Sequence, residues 1–543
     1  FGWTPAVQRT ASLLPMPQET PRRPSPHQAR PATRAALVML TLAVGLALRG
    51  LLLNQPGLHP DEALYASWAL RIADGSDPAL LGVYVDKPPL LLYLLAGLFR
   101  LAGFDGSSPP QAAHLILIGR LAALLASAGS LALLWSIAHR VYGPTVALLA
   151  LALFALSPLA VRLAPTLFTD PWLVLGMLLS LWAALTGRAF LAGLAFGLAF
   201  AAKQQALLLA PLLLAAFFAA PRPVEGRSAA GAARLAWRWL NGFALLAVAV
   251  LWWDSLRWQW MPSYWERSAQ TYGGLALALD ASLLQRLAQW GELLGYTLGW
   301  PLWLGLAALL AVAWRLRRGR HAQPPAASGW FDRLLLVFVA AWLLLHLLTN
   351  LAAWDRYALP LVPLLALLAA RGAQWSWQII GPSLRPVRGQ RWIRAGAAVA
   401  LAGALLATAQ LAAWARLPLA DGGAYDGVAQ AAARAAAAGP APTVLYHQAL
   451  GWHYNFYLYN APVDLRWWQE PADLARKAGA SMGQRQWIAF AAGREDEAGA
   501  RAALARFGLE LRPVLAGSNS PAAESIALYS IEPILAGAPS HVP

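Results

Sequence analysis

The feature that most constrains this chain is a series of apolar runs that are each long enough to cross a lipid bilayer. A membrane-spanning helix needs about 17 to 25 mainly apolar residues, and runs of this length recur along the 543 residues. Hydrophobic residues make up 58% of the chain and charged residues only 13%, which excludes an ordinary soluble domain. The sequence therefore predicts a mainly α-helical, polytopic membrane protein.

The basic residues fit a membrane topology better than a nucleic-acid interface. The formal net charge is +16, but Lys and Arg gather in short segments between apolar runs, as in "RLRRGR" (315–320). This is the distribution of cytoplasmic loops, so no nucleic-acid partner is predicted. The chain has no cysteine, which excludes disulfides and thiolate chemistry.

Eleven transmembrane helices result when the basic loops are kept on one side of the membrane. The run 88–103 must then lie along the outer surface as a juxtamembrane helix, because one more crossing would invert every later loop. The N-terminus is cytoplasmic and the C-terminus lies outside. The predicted spans are 35–52, 112–138, 144–161, 171–187, 189–202, 204–220, 239–253, 288–314, 333–351, 357–371 and 395–414.

Composition divides the chain into three parts. Residues 1–33 are rich in Pro and Arg, and we expect a disordered cytoplasmic tail. Residues 34–414 form the membrane domain, with a first outer loop at 54–111. Residues 415–543 predict a small α/β domain outside the membrane. Its predicted strands are 442–447, 463–468, 485–490, 509–515 and 524–531. No internal repeat is evident, which counts against many transporter folds.

Two adjacent carboxylates, Asp61 and Glu62 in "HPDEALY", follow the first predicted span. Helix capping alone can explain them, because Asp caps well and Glu is favoured in a first turn. Capping needs only one side chain, however, and acids at the mouth of a membrane-embedded core are candidates for function. We therefore take both as candidate catalytic residues, with capping as the alternative.

The stretch "YVDKPPLLLYLL" places Tyr84, Asp86 and Lys87 directly before a predicted helix. A helix start explains the Asp and the prolines. It does not explain Lys87, because a cation is unfavourable at the positive end of a helix dipole unless an anion binds there. A phosphate would remove the conflict, so these residues are candidates for binding one.

Further candidates lie at the outer ends of other predicted helices: Arg162, Asp170, Lys203, Arg356 and Tyr357. Each has a plainer alternative, such as capping for an acid, snorkelling for a lysine or an aromatic belt for a tyrosine. Cations beside an apolar cavity suit an anionic lipid head group, and a neighbouring acid suits proton abstraction from a hydroxyl. Together they predict glycosyl transfer from a lipid phosphate.

Four segments in this order resemble the GT-C glycosyltransferases that use polyprenyl-phosphate sugars. The resemblance is to the bacterial branch that contains the lipid A aminoarabinose transferases and relatives of the protein O-mannosyltransferases, and it covers about 35–371. The segments are "HPDEALYASWALRIADG", "YVDKPPLLLYLL", "LFTDPWL" and "RYALPLVPLLALLAA". The resemblance implies a GT-C fold in a bacterial inner membrane. It also implies a periplasmic active site and C-terminal domain, and a sugar donor carried on undecaprenyl phosphate.

The resemblance also implies roles for the candidates. Asp61 would act as base toward the acceptor hydroxyl, with Glu62 beside it and Asp170 as the family's second acidic position. Donor binding would involve Tyr84, Asp86, Lys87, Arg162, Lys203, Arg356 and Tyr357. No cofactor follows with certainty. A divalent Mg²⁺, Mn²⁺ or Zn²⁺ near the acids and His59 stays open, because some relatives bind such an ion and others do not.

The identity of the substrates is not implied. Aminoarabinose transferases carry an arginine and a glutamate shortly after the acidic pair, where this chain has Leu64 and Ser67. We expect a hydroxyl or a phosphate of a periplasmic glycolipid or cell-envelope glycan as acceptor, with a protein hydroxyl as the alternative. A transporter or flippase for polyprenyl-linked lipids is the alternative from another class of protein.

Two more segments have two interpretations each. The outer segment 254–274 is rich in Trp, Tyr and Arg and would either contact the donor or anchor at the membrane interface. The stretch 447–460 would be either a lid or a packed helix of the outer domain. His346, inside an apolar helix, is expected to be a hydrogen-bonded interior residue.

Overall fold

The computed structural model places a bundle of helices before a small mixed sheet, as the sequence predicts. It describes residues 31–54, 57–220, 228–272, 275–280, 282–299, 329–380, 390–421, 423–437, 443–491, 495–515 and 526–534. Residues 1–30 of the predicted tail, and the predicted span 288–314 beyond residue 299, lie outside the described residues.

Most helices of the membrane part follow the predicted spans, but the predicted single span 144–161 is divided into the helices Pro144–Ala155 and Pro158–Leu163, because Ser157 and Pro158 begin a new helix there. Four of the described helices are long and apolar enough to cross a membrane, namely Pro31–Gly50, Ala112–Tyr142, Ala229–Ser255 and Gly329–Leu348. The total of eleven spans stays a prediction. The other helices are Pro60–Asp74, Leu90–Leu101, Pro144–Ala155, Pro158–Leu163, Asp170–Leu185, Ala189–Ala202, Ala210–Ala219 after a 3-10 turn at Gln204–Leu209, Tyr264–Tyr272, Leu283–Leu298, Asp355–Ala358, Leu361–Ile380 and Gln390–Ala413.

Helix ends that are predicted to share the cytoplasmic side meet in the structure. The Tyr142 hydroxyl donates to Asp332 Oδ1 at 2.6 Å, and Arg371 Nε lies 3.5 Å from Asp332 Oδ2. The three residues come from three different helices. The alternation of sides that was derived from the basic loops is therefore consistent with the packing.

The C-terminal end of the juxtamembrane run 88–103 lies on the outer side, where the sequence predicts it. Helix Leu90–Leu101 is followed by a loop whose Gly106 carbonyl accepts from Asn460 Nδ2 of the sheet domain at 2.9 Å. The Arg100 side chain bonds to the Ala73 carbonyl of the first outer helix. The end of this helix thus lies on the sheet-domain side, as expected of a helix that does not cross.

Small residues bring two helices of the membrane part into close contact. Helix Ala229–Ser255 packs against helix Ala189–Ala202, and the contact includes Gly193 and Gly242. A Cβ atom at either glycine would overlap the main chain of the facing helix. Close backbone approach through glycine is typical of helix pairs inside membranes, where apolar burial alone drives association weakly.

The C-terminal part contains five strands, β1 (Thr443–His447), β2 (Val463–Trp467), β3 (Arg485–Ala491), β4 (Leu509–Leu515) and β5 (Ile526–Pro533). Their order is β2-β1-β3-β5-β4. Strand β1 pairs in parallel with β2 and β3, whereas β5 is antiparallel to β3 and β4. The helices are Val428–Ala436, Gly451–Tyr457, Pro471–Gly479 and Glu497–Ala505.

The middle residues of the central strands β1 and β3 form continuous apolar runs because both faces of the sheet are covered. Leu445 joins one buried apolar cluster, whereas its neighbours Val444 and Tyr446 join another. A strand that is buried on both faces reads as a continuous apolar run. This explains why "TVLYH" was recognisable as a strand.

Several hydrogen bonds besides that of Asn460 fasten the sheet domain to the outer end of the bundle. His453 Nε2 lies 2.9 Å from the Leu58 carbonyl, and the Ala420 amide donates to Asp355 Oδ2 at 2.7 Å. Arg162 Nε donates to the Leu419 carbonyl at 3.2 Å. Since His453 belongs to helix Gly451–Tyr457, the stretch 447–460 forms a packed helix, the second of its two interpretations.

Candidate active site

The first outer helix, Pro60–Asp74, begins with a capping box that leaves one carboxylate free for other contacts. His59 is the N-cap, and its Nδ1 accepts from the Asp61 amide at 3.1 Å. Glu62 Oε2 accepts from the His59 amide at 3.0 Å, which is the reciprocal half of the box. Glu62 therefore does the capping, and the Asp61 side chain is available.

Both oxygens of Glu62 are engaged by backbone amides. Oε1 accepts from the Leu167 amide at 2.8 Å, and the residue is only 4% exposed. Glu62 thereby ties the start of the first outer helix to the turn that precedes Asp170. The capping alternative accounts for Glu62, while its catalytic role stays a prediction.

Asp61 forms an ion pair with Arg356, which lies 295 positions later in the chain. Arg356 Nη1 lies 2.6 Å from Asp61 Oδ2, and the guanidinium also stands 4.6 Å from the centre of the Phe168 ring. Burial raises the pKa of Asp61, but the neighbouring Arg356, His59 and Lys87 outweigh it and hold that pKa below its usual range. Asp61 is therefore a carboxylate.

The second candidate acid is also paired. Lys203 Nζ lies 2.7 Å from Asp170 Oδ1, and both side chains are buried. The Lys203 ammonium also stands 4.7 Å from the centre of the Tyr357 ring. An ion pair, rather than the capping alternative, thus occupies the Asp170 carboxylate, and snorkelling does not explain a lysine held in this way.

The third cation, Lys87, belongs to a three-membered network. Its Nζ lies 2.7 Å from Asp86 Oδ2 and 2.6 Å from the Tyr272 hydroxyl. The same hydroxyl donates to Asp86 Oδ2 at 2.7 Å. Burial, followed by the negative charge of Asp86, raises the pKa of Tyr272 well above its usual range, so this tyrosine keeps its proton and acts as a donor.

The three cations line one cavity of about 420 Å³. Lys87, Lys203 and Arg356 share its wall with Tyr272 and Tyr357. The rest of the wall is mostly apolar or aromatic, and includes Leu207, Leu208, Trp265, Leu275 and Leu351. We call this space the donor cavity. It can hold a group that is anionic at one end and apolar at the other.

The aromatic outer segment is one wall of the donor cavity. Asp254 holds its bend, because Oδ1 accepts from the Tyr264 amide at 3.1 Å and Oδ2 from the Ser263 hydroxyl at 2.5 Å. Helix Tyr264–Tyr272 then brings Trp265, Ser268 and Tyr272 to the cavity. Part of 254–274 therefore lines the cavity, whereas Trp258 and Trp260 are exposed, and the choice between its two interpretations stays a prediction.

Comparison with known proteins identifies the fold. Residues 86–253 match the model of the family described as dolichyl-phosphate-mannose-protein mannosyltransferase. The structure of ArnT from Cupriavidus metallidurans bound to undecaprenyl phosphate superposes with a TM-score of 0.58 at 16% identity, over 92% of this chain and 98% of that one. The chain has the GT-C glycosyltransferase fold. The predicted fold is thereby confirmed, and the match of residues 86–253 to a mannosyltransferase family model agrees with the predicted enzyme class.

Two further structures with the GT-C fold also superpose on this chain. The apo state of the same ArnT gives a TM-score of 0.57 at 17% identity, again over 92% of this chain and 98% of that one. The oligosaccharyltransferase of Archaeoglobus fulgidus, tethered to an acceptor peptide, gives 0.51 at 11% identity, over 85% and 69% of the two chains. No curated protein sequence matches significantly. At these identities the likeness concerns the fold alone.

Within the GT-C fold, two predicted donor ligands lie apart from the donor cavity. Tyr84 is 59% exposed, and its ring stands 5.5 Å from the guanidinium of Arg267. Arg162 points to the sheet domain, where it lines a small polar cleft with Glu62 and Asp426. The reason is local: the short helix Pro158–Leu163 faces the outer domain. A donor role for either residue stays a prediction.

Sequence reasoning missed four polar residues of the donor cavity: Gln204, Gln205, Ser268 and Tyr272. Tyr272 lies in a segment with so many aromatic residues that none stood out. Gln204 follows Lys203 directly, and an amide beside a membrane-embedded lysine was a usable signal. Ser268 had no recognisable signal.

The acids of this GT-C site are spread among cations rather than grouped. Asp61, Asp86 and Asp170 each pair with a different cation. Among the residues that the structure describes, no group of three or more His, Asp or Glu side chains could hold a metal ion. The binding of Mg²⁺, Mn²⁺ or Zn²⁺ near these acids stays a prediction.

His346 Nδ1 lies 2.9 Å from the Trp342 carbonyl, as expected of a hydrogen-bonded interior residue.

Proposed function

We propose that the protein transfers a sugar from an undecaprenyl-phosphate carrier to a hydroxyl of an acceptor outside the cytoplasm. The observation that carries this proposal is the donor cavity, which combines three cations with an apolar wall beside the Asp61 carboxylate. The fold adds support, because it is that of membrane glycosyltransferases. The cavity suits a phosphate that continues into a lipid chain.

The cations have the chemistry that this reaction requires. Transfer breaks the bond between the anomeric carbon and the phosphate oxygen, and the leaving polyprenyl phosphate gains negative charge. Lys87, Lys203 and Arg356 can stabilise that charge in a site that is largely shielded from water. A leaving group of this kind needs no proton, so no general acid is assigned.

Asp61 completes the reaction on the acceptor side. The acceptor oxygen forms the new bond to the anomeric carbon, and its proton passes to the Asp61 carboxylate. The carbon is inverted, because a single displacement takes place without a covalent intermediate on the protein. Glu62 has a positioning role, since its two oxygens accept from the His59 and Leu167 amides and so hold the start of the helix that carries the base.

Donor binding and activation of the base are linked through Arg356. In the structure Arg356 pairs with Asp61, and it also lines the cavity that would receive the phosphate. A phosphate that draws Arg356 away would remove the charge that lowers the pKa of Asp61, and the carboxylate would become a stronger base. The order is then donor first and acceptor second.

The sheet domain and the donor cavity lie at the same end of the bundle, opposite Tyr142, Asp332 and Arg371. We place the first end in the periplasm of a bacterial inner membrane and the second in the cytoplasm, in line with the basic loops. The acceptor in this proposal is a glycolipid or cell-envelope glycan, with a protein hydroxyl as the alternative.

The test distinguishes transfer from transport. Purified protein in liposomes is given undecaprenyl phosphate that carries a radiolabelled sugar, together with an envelope extract, and the label is followed. Label that leaves the carrier and enters a product supports the proposal, and the labelled product identifies the acceptor. Label that crosses the bilayer on an intact carrier, with no product, would replace the proposal by the flippase alternative.

A further inference from the structure

Two glutamines in the donor cavity carry side-chain oxygens that receive no hydrogen bond. Gln204 and Gln205 follow Lys203 directly, and both line the cavity. Their Oε1 atoms are buried, and neither has a donor within the part of the chain that the structure describes. Buried acceptors without a partner are uncommon and carry a free-energy cost. These two oxygens therefore call for donors on a ligand.

The orientation of the Gln204 amide is fixed by its surroundings. Its Nε2 donates to the Asp86 carbonyl at 3.1 Å and to the Ser268 hydroxyl at 2.6 Å. A carbonyl can only accept, so the nitrogen must face Asp86 and the oxygen must face away from it. The missing partner of Gln204 Oε1 is thus a donor and not an artefact of a reversed amide.

The position of these oxygens selects one part of the donor. Both glutamines share the cavity with Lys87, Lys203 and Arg356, the proposed phosphate ligands, and the sugar is the group bonded to that phosphate. A sugar hydroxyl can donate to an amide oxygen, whereas a sugar carboxylate cannot. An ammonium group can also donate, but Asp61, Asp86 and Asp170 are each already paired with a cation of the protein, so no carboxylate is left to balance a buried ammonium.

We infer that Gln204 and Gln205 bind hydroxyl groups of an uncharged sugar on the carrier, and that they determine which sugar is accepted. This inference rests on the proposed function and names the class of its donor. Asp86 is a positioning residue in this arrangement, because its carbonyl holds the Gln204 amide and its carboxylate holds Lys87.

The test compares carriers with and without a sugar. Binding of undecaprenyl phosphate alone, and of undecaprenyl phosphates that carry glucose, galactose, mannose or aminoarabinose, is measured for the full-length protein and for Gln204→Leu and Gln205→Leu. Gln205→Glu is the conservative variant, because its carboxylate can still accept a hydrogen bond at position 205. Gln270→Leu is the matched control, because Gln270 lies on the neighbouring helix, bonds to Glu266 and is exposed.

The wild-type protein should bind at least one of the neutral hexose carriers more tightly than the bare phosphate and more tightly than the aminoarabinose carrier. Each Leu variant should lose about tenfold for that hexose carrier, as expected of lost hydrogen bonds, with bare-phosphate binding unchanged. Gln205→Glu and Gln270→Leu should keep the preference. When the hexose lacks the hydroxyl that one of the glutamines binds, the Leu variant of that glutamine should bind the carrier as well as the wild type does.

Three results would overturn the inference: a wild type that does not discriminate between carriers, a preference for the aminoarabinose carrier, or Leu variants that keep the hexose preference. Equal losses for bare and sugar-linked carriers would show that the glutamines support the phosphate site or the fold. A wild type that binds none of the carriers would instead reject the proposed function itself.

Discussion

Arg356 Nη1 lies 2.6 Å from Asp61 Oδ2, although the two residues are 295 positions apart in the chain. The pair joins the start of the first outer helix to the turn before one of the last helices of the bundle. It also joins the candidate base to the wall of the donor cavity. A donor that binds to Arg356 would therefore change the pKa of Asp61 in the proposed mechanism.

The first prediction concerns pH. Transfer needs the Asp61 carboxylate, which is lost as the pH falls through its pKa, and that pKa is held below its usual range chiefly by Arg356 against the effect of burial. Arg356→Gln should therefore raise the pKa and move the acid limb of the transfer rate to higher pH. The measurement is the pH profile of transfer at donor concentrations well below saturation, because this profile reports the free protein, in which Arg356 is paired with Asp61.

The control for this profile is Arg267→Gln, since Arg267 stands over Tyr84 and not beside Asp61. Its acid limb should coincide with that of the wild type. An unchanged acid limb in Arg356→Gln would show that the ion pair does not set the titration of the base.

A second prediction separates stability from donor binding at the buried Asp170–Lys203 pair. Asp170→Asn leaves a buried ammonium without its partner, which costs about 3 to 5 kcal/mol, so the unfolding temperature should fall. The double variant Asp170→Asn/Lys203→Met should regain most of this stability, but it should not regain binding of undecaprenyl phosphate. A double variant that binds the carrier normally would remove Lys203 from the phosphate site.

Glu62 gives a third prediction, on the difference between positioning and catalysis. Glu62→Ala removes the capping bond, worth about 0.5 to 2 kcal/mol, and leaves the buried Leu167 amide unpaired at about 1 to 3 kcal/mol. It should lower the free energy of unfolding. Glu62→Gln keeps an acceptor oxygen and should retain measurable transfer per folded protein. A stable but fully inactive Glu62→Gln would instead establish the catalytic role that the sequence suggested.

The fold was largely predictable because its signals are local. Apolar length marked the helices, and continuous apolar runs marked the strands, so that the predicted 463–468 became Val463–Trp467. The strand order β2-β1-β3-β5-β4 was not predicted, since it depends on contacts between distant segments. Loop charge predicted which helix ends share a side, and Tyr142, Asp332 and Arg371 do meet.

The sequence predicted which residues belong to the candidate site, but it did not predict the contacts between them. Topology placed Asp61, Asp170, Lys203 and Arg356 on one side, yet nothing in the sequence indicates which acid pairs with which cation. Arg162 shows the limit of that reasoning, because a helix end on the correct side still faces the sheet domain instead of the cavity. Side chain direction depends on packing between segments that are far apart in the chain.

The central claim is that Asp61 is the base that receives the acceptor proton beside a bound carrier phosphate. The most direct measurement compares label transfer and carrier binding for wild type, Asp61→Asn and Asp105→Asn, an exposed acid-to-amide control in the same outer loop. We predict that Asp61→Asn binds the carrier but transfers at least about 100-fold more slowly, with Asp105→Asn unaffected. Transfer by Asp61→Asn at the wild-type rate would contradict the claim.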